Sequence, residues 1–440
     1  MAPLKVLIVG GGIAGPALAH WLSRIGAHIT LIERSSQKRI TGQQLDLRAQ
    51  GIPTMKKMGI EPAVRAACVH EEGMQFVDSQ GRIKCRFPAA KPGSGKQGFT
   101  SEFEIMRGDL VQILYGLTEK HPNVQHLYNT TVETFTQDEE SDPNGKVHVK
   151  FSDGNEEDYD LVVAADGTGS KMRKIMLGPD APDPRHRLGG NIAFYSIPTD
   201  PKDSNWFTAT MLPGSRVARA IGTRKDCPEL TRVYMFSYGT VEELDKAHES
   251  GDLAALKKAW ADLYQDGGWQ CARFTEVLRN APEADDLYST PREEIRLPEG
   301  SWSRGRVVLL GDAAQSQTAN GYGTTWGLVG AYVLAGEIGT LLAADKSSPP
   351  TAAVVQGAKN YEKLFRPVST ATHNKSQWPA RLFMPTSRIG ISLVYLIAQV
   401  VSYFGLDRMA AMDSAQGKWK LPDYPALERG DLDGSEVQST

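Results

Sequence analysis

Residues 5–33 read KVLIVGGGIAGPALAHWLSRIGAHITLIE, and the order of residue types in this stretch decides the fold class. Lys5 to Val9 is a short β-branched run, Ile13 to Ile25 carries apolar residues at helical spacing, and Ile29 to Ile32 is strand-like again. Strand, helix and strand in so short a span form a βαβ unit, which requires a parallel sheet. At the first turn Gly10, Gly12 and Gly15, with Ile13 and Ala14 between them, fit GxGxxG. Gly10 allows the tight turn, Gly12 lets backbone N–H groups approach a pyrophosphate, and Gly15 lets helix and strand pack closely. Glu33 ends the second strand, where a carboxylate can take both hydroxyls of an adenosine ribose and repels a 2′-phosphate. The bound dinucleotide is therefore expected to be FAD or NAD rather than NADP. The apolar start resembles a signal peptide, but consecutive glycines interrupt it and no small-residue cleavage site clearly follows, so a cytoplasmic protein is expected.

A chain of 440 residues is too long for one ordinary core, and its formal net charge of −3 offers no basic field for nucleic acid. Cys68, Cys85, Cys227 and Cys271 are scattered without CxxC spacing, which fits a reducing compartment and no metal framework. His121 and His126, in HPNVQH, read as a solvated loop rather than a ligand pair. Residues 71–100 suggest a strand pair followed by a surface loop, AAKPGSGKQG, which lacks the remaining residues of a phosphate loop. The segments NIAFYSI, WFTATML, RVARAIG and TRVYMFSY, within 189–238, alternate or are apolar between turn residues, the pattern of an antiparallel sheet.

The strand pattern returns at Arg306 to Leu310, so one domain is expected to interrupt another. The expected division is a Rossmann-type domain from 1–73, 101–180 and 286–375, and an antiparallel-sheet domain from 74–100 and 181–285. A helical C-terminal segment, 376–440, ends in a polar tail expected to be disordered. Ile389 to Leu406 is uncharged, at the lower limit for a membrane span. Ser392, Tyr395, Gln399 and Ser402 fall on one side of a helix there, with Leu393, Ile397, Val400 and Phe404 on the other. A helix covering the core with its apolar side is expected, with membrane contact as the second reading.

Two further stretches carry chemistry. Residues 160–173 place Asp166-Gly167 after a buried strand and before a basic helix start, where the carboxylate serves a ligand or simply caps the helix. Residues 308–335, VLLGDAAQSQTANGYGTTWGLVGAYVLA, place Asp312 between a buried strand and a glycine-rich loop that opens a long helix. Together with GxGxxG, these motifs resemble those of the group A FAD-dependent aromatic hydroxylases, the p-hydroxybenzoate hydroxylase-like family, over most of residues 1–340. TGQQLDLRAQG followed by MKKMGI is similar to the branch of tetracycline-inactivating monooxygenases and biosynthetic hydroxylases.

The resemblance implies bound FAD, transient NAD(P)H and O2. It also implies a flavin hydroperoxide as oxidant and a hydrophobic, aromatic or conjugated small molecule that is hydroxylated or epoxidised. It gives the pyrophosphate to Gly10, Gly12 and Gly15, the adenosine ribose to Glu33 with Arg34 beside it, and the flavin's neighbourhood to Asp46. Arg107 would grip the central section of the cofactor and Asp312 the ribityl hydroxyls, with Asp166 in the second motif. Gly323, Thr324 and Thr325 would open a helix facing the pyrimidine end of the flavin, where the positive helix terminus favours negative charge. Tyr195, Arg216 and Tyr234 fall near the positions at which the tetracycline-inactivating relatives touch substrate. No metal is expected, and a monomer or homodimer is.

The chain departs from the family pattern at Gln315 (usually His or Tyr), at Ala319 (usually Pro) and by one residue fewer in the glycine loop. A halogenase would carry WxWxIP, which is absent. An isoprenoid double-bond reductase on the same fold, or a non-catalytic FAD-binding protein, are the remaining alternatives at this stage.

Overall fold

A computed structural model describes residues 3–38, 42, 44–89, 101–214, 216–317, 321–345, 347, 349–372, 383–405 and 419–428. The loop 90–100, Ala319 and the polar tail 431–440 lie outside the described residues. The first sheet has the strand order Ser303–Arg304, Val307–Leu309, Leu161–Ala164, Lys5–Val9, His28–Ile32, Val124–Leu127. Its pairings are parallel except for the edge strand Ser303–Arg304. The central strands are apolar without alternation, as in IV and LVVA, because helices cover both faces of a parallel sheet. His126 belongs to the last of these strands and contacts the Thr118 hydroxyl at 3.2 Å, so HPNVQH is half strand rather than a loop throughout.

The helix Gly323–Ala344 has a mean hydropathy of 1.6 in its most apolar window, enough by length and composition to cross a membrane. Here its run Thr325–Gly336 is buried, packed against the helices Ala14–Ser23 and Pro350–Ser369. Small residues permit these close crossings; a Cβ at Gly336 would overlap the Tyr424 ring.

A seven-stranded sheet has the order Tyr288–Ile295, Arg185–Pro198, Leu230–Tyr238, Ala218–Lys225, Trp206–Leu212, Gly73–Val77, Ile83–Pro88. All neighbours are antiparallel except Gly73–Val77 beside Trp206–Leu212. Its outermost strand Tyr288–Ile295 corrects the expected division, which assigned residues from 286 onward to the first domain. The stretch YSTPREEI contains proline and charges, tolerable on an edge strand but unlike a central one.

Period-two alternation gives this sheet two different faces. Ala193, Tyr195, Ile197, Val233 and Met235 pack under the helices Leu253–Tyr264 and Cys271–Asn280 with Trp260, Tyr264, Phe274 and Leu278. The residues between them, Ile192, Phe194, Tyr234 and Phe236, face the other way, onto a cavity.

The helix Arg388–Phe404 reverses the expected orientation. Its polar residues turn inward: Tyr395 is buried, and Gln399 and Ser402 donate to backbone oxygens of Lys84 and Arg86. Leu393, Ile397, Val400 and Phe404 face outward instead of covering the core. Unpaired carbonyls on the strand Ile83–Pro88 select the polar side, because buried backbone acceptors need donors.

Candidate active site

A cavity of about 640 Å³ lies between the C-terminal ends of the parallel strands and the open face of the seven-stranded sheet. The three motifs meet there: Gly12, Ile13 and Ala14 from the first turn, Gly167 and Thr168 from the second, and Gly311, Asp312, Gly323 and Thr324 from the third. Such a crevice outside the carboxyl ends of parallel strands is the position in which α/β sheets bind ligands.

The first turn is made possible by close backbone approach. Gly10 has φ 117°, and a Cβ on it would collide with the carbonyl of Ala165 in the neighbouring strand turn. A Cβ on Gly15 would collide with the carbonyl of Gly10. These two glycines shape the turn from beneath, and the following Gly12 reaches the cavity wall. Glu33 supports the turn too: its carboxylate accepts from Gly11 N at 2.9 Å and from Ser35 N at 3.0 Å. Glu33 is half-buried and Arg34 exposed, and neither lies on the cavity wall.

Asp312 follows the strand Val307–Leu309 at the start of a short helix, Asp312–Gln315. Its carboxylate is surrounded by protein yet open to the cavity, so it is solvent-accessible although it lies deep in the fold. Among the described residues no donor is hydrogen-bonded to it. Burial raises its pKa above the ordinary carboxylate range, while the Arg107 guanidinium pulls the other way. Arg107 begins the helix Arg107–Gly116 and lines the same space. Asp46, on the strand Gln44–Leu47, lines it as well and is held by Arg48 at 3.1 Å.

A carboxylate that faces the cavity with no hydrogen-bond donor among the described residues, with the Arg107 guanidinium lining the same space and the N-terminus of the 22-residue helix Gly323–Ala344 nearby, fits a ligand that carries both hydroxyls and phosphates. FAD is such a ligand.

Several expected site residues do other work. The Asp166 carboxylate accepts from Ser170 Oγ at 2.6 Å and from Met172 N at 3.2 Å, so it belongs to the cap of the helix Lys171–Leu177. In the same motif Arg173, almost fully buried, donates to Ala313 O at 2.8 Å and Thr168 O at 2.6 Å, fastening the second motif to the third. Thr325 is buried beside the cavity, its hydroxyl exchanging hydrogen bonds with the backbone of Arg48. Tyr195 faces away, into the helix-covered core, where its hydroxyl donates to Phe274 O at 3.0 Å. Arg216 is exposed on the turn between the strands Trp206–Leu212 and Ala218–Lys225. Both were placed near the site by segment, and one step of strand alternation or one turn moves a side chain out of reach. Gln315 is buried, and its amide O and N have no hydrogen-bond partner among the described residues.

Tyr234 does reach the cavity, and its hydroxyl donates to Gln44 Oε1 at 2.5 Å. It stands in an aromatic cluster, edge-on to Phe194 at 5.3 Å and to Phe207 at 5.1 Å between ring centres. Phe236 and Tyr288 extend that wall.

At its edge lies an ion cluster that sequence reading missed. Arg224, only 3 % exposed, donates to Glu104 through both terminal nitrogens at 2.9 and 2.6 Å and to Asp226 at 2.8 Å, and lies 3.1 Å from Glu71. Burial, and then the neighbouring Glu104 charge, push the Glu71 carboxyl up to about 8. Against the pull of burial, Arg224 holds Glu104 below its ordinary value, so the proton of the pair resides on Glu71. The advance signal was weak: Glu104 is the lone charge in FEIM, but Arg224 shares the strand ARAIGTRK with Arg219 and Lys225.

Comparison with known proteins agrees with this geometry. The FAD binding domain family matches residues 3–199. The flavin-dependent monooxygenase eupH of Phoma sp is 42 % identical over 436 residues, covering 97 % of this chain and 99 % of the relative. The FAD-dependent monooxygenase asL4 of Sarocladium schorii is 36 % identical over 97 % of this chain and 99 % of its own length. Among solved structures, the tetracycline destructase Tet(51) superposes with a TM-score of 0.71 at 26 % identity, over 96 % of this chain and 99 % of that one. The chain belongs to the FAD-dependent monooxygenases: it is an oxidoreductase of the p-hydroxybenzoate hydroxylase-like fold that uses FAD.

Proposed function

We propose that the enzyme inserts one oxygen atom into a hydrophobic, conjugated specialised metabolite that bears an acidic hydroxyl, a phenol or an enol. The observation that carries this reading is the pairing of an aromatic wall, Phe194, Phe207, Phe236 and Tyr288, with the buried Arg224–Glu104–Glu71 cluster in the same cavity as Asp312. The aromatic wall would hold a flat apolar molecule and keep water away from the reacting atoms. Arg224 would favour the ionised form of its hydroxyl, and the shared acid site of Glu104 and Glu71 would take up or return the proton. Tyr234, anchored on Gln44, would fix the edge of the bound molecule.

At the opposite end, the Gly12-Ile13-Ala14 turn and Arg107 would hold the FAD diphosphate and Asp312 the ribityl hydroxyls, while Glu33, beyond the cavity wall and bonded to Gly11 N, would take the adenosine ribose. The Gly323 and Thr324 end of the long helix would face the flavin ring near Asp46. Bound FAD would accept two electrons from NAD(P)H and activate O2, one oxygen atom going to the substrate and the other leaving as water. We assign the reaction to the cytoplasm, where NAD(P)H is at hand and the unpaired cysteines stay reduced.

The test is NAD(P)H oxidation and oxygen uptake by the yellow holoenzyme over a panel of phenols, enols and their O-methyl ethers, with products weighed for one added oxygen. Turnover of free hydroxyl compounds well above their ethers is expected. Equal turnover of both sets would refute the role of the ion cluster, and NAD(P)H oxidation that reduces a substrate double bond without oxygen uptake would refute the oxygenation.

A further inference from the structure

The helix Arg388–Phe404 is amphipathic with its polar side toward the protein. The Tyr395 hydroxyl accepts from Met211 N at 3.0 Å and donates to Val77 O at 3.0 Å, while Gln399 Nε2 donates to Lys84 O at 2.8 Å. On the opposite side Ile389, Leu393, Ile397, Val400, Tyr403 and Phe404 form one stripe, each between 46 % and 86 % exposed. A contiguous apolar face of this kind marks an interaction surface. Turning the helix to bury it would break the bonds that hold its polar side, so the orientation is built in.

The charge around this face identifies its partner. The helix itself carries one cation, Arg388, and no Asp or Glu. Arg388 is exposed at the start of the helix, and Arg82 and Arg86 are exposed beside the strand on which it lies. The turn carrying the exposed Arg216 is tied to Thr386, just before the helix, through Gly214 N at 3.1 Å. Asp78 is the counter-charge nearby, already paired with Arg82 and Lys84. A second copy of the chain would set this cationic rim against itself, because a two-fold interface pairs a patch with the same patch. An anionic lipid surface complements both the stripe and the rim. A 17-residue helix is about 25 Å long, too short to span, and its polar side is already bonded to the sheet.

We propose that this helix docks the enzyme on the surface of an anionic phospholipid bilayer, lying in the interface with its apolar stripe buried among the lipids. The docking does not depend on which substrate the cavity takes.

The test is flotation of the holoenzyme with phosphatidylcholine vesicles and with vesicles that also contain phosphatidylserine, alongside light scattering in their absence. Binding is expected with the anionic vesicles, and it should fall several-fold as salt rises from about 0.05 M to about 0.5 M. The double variant Ile397→Ser/Tyr403→Ser should bind about tenfold or more weakly. The variant Arg388→Gln/Arg82→Gln should lose the preference for phosphatidylserine. Both should retain yellow colour and basal NAD(P)H oxidation, which shows that they fold. A monomer that ignores both vesicle types would overturn the proposal. So would undiminished flotation of the Ser variant, or a dimer that this variant dissociates.

Discussion

Replacing Asp312 by alanine should move flavin affinity and folding stability in opposite directions. In the flavin-free chain its carboxylate lies deep in the fold with no hydrogen-bond donor among the described residues, and burial raises its pKa. Removing it relieves that cost, offset only by the weak benefit of an acid at a helix start, roughly 0.3–1 kcal/mol. With FAD present, the same carboxylate would accept charge-assisted hydrogen bonds from ribityl hydroxyls, each worth about 1.5–3 kcal/mol. The variant should therefore bind FAD about 10- to 100-fold more weakly. At a fixed excess of FAD, it should lose about 1.4–2.7 kcal/mol of ligand-induced stabilisation.

The pH dependence follows from the raised pKa. The stability Asp312 contributes to the flavin-free chain is fully present below its unfolded pKa and lost as pH rises through its folded pKa. The advantage of the alanine variant without FAD should thus grow from acid toward neutral pH. Thermal unfolding with and without FAD, combined with quenching of flavin fluorescence, measures both terms. A variant that melts earlier without FAD but binds it normally would refute the assignment and make Asp312 a structural residue.

Three further outcomes are expected. Glu71→Gln keeps a donor for Glu104 but cannot ionise: the wild type should lose stability as pH rises from the ordinary carboxylate range through about 8, and the variant should not. Equal melting curves across that range would refute the shared proton, whereas Glu104→Gln should cost about 1–3 kcal/mol by weakening the paired bonds to Arg224, which keeps Asp226. Tyr195→Phe should lower stability by about 1–3 kcal/mol with unchanged kcat/KM, and Tyr234→Phe should lower kcat/KM by up to about tenfold with little change in Tm; the reverse pattern would contradict the two-faced sheet. Gly15→Ala, whose Cβ meets the Gly10 carbonyl, should destabilise by about 1–3 kcal/mol or more, and an unchanged Tm and flavin content would show that the turn yields more easily than its packing suggests.

Local signals made much of the molecule legible in advance. The βαβ unit needs only strand and helix periodicities and glycines at positions where backbone meets backbone, and each is written in neighbouring residues. Asp312 stood out because a lone acid between a buried strand and a glycine loop has no local partner. The ion cluster around Arg224 was not legible, since Glu71 precedes the strand Gly73–Val77 while Glu104 and Arg224 lie on strands of two different sheets, brought together by distant contacts. Tyr195 and Arg216 show the same limit: their segments approach the cavity, while strand alternation and a turn carry the side chains elsewhere.

Residue order along the chain thus determined the dinucleotide turn and the parallel sheet, because those rest on steric and periodic rules acting over a few residues, while the convergence of the three motifs was an expectation from the family resemblance. Only the tertiary structure decided which face of each element meets what. The helix Arg388–Phe404 has the same amphipathic pattern whichever way it is turned. Bonds from Tyr395, Gln399 and Ser402 to backbone groups on distant strands put its polar side inward and left its apolar side facing out.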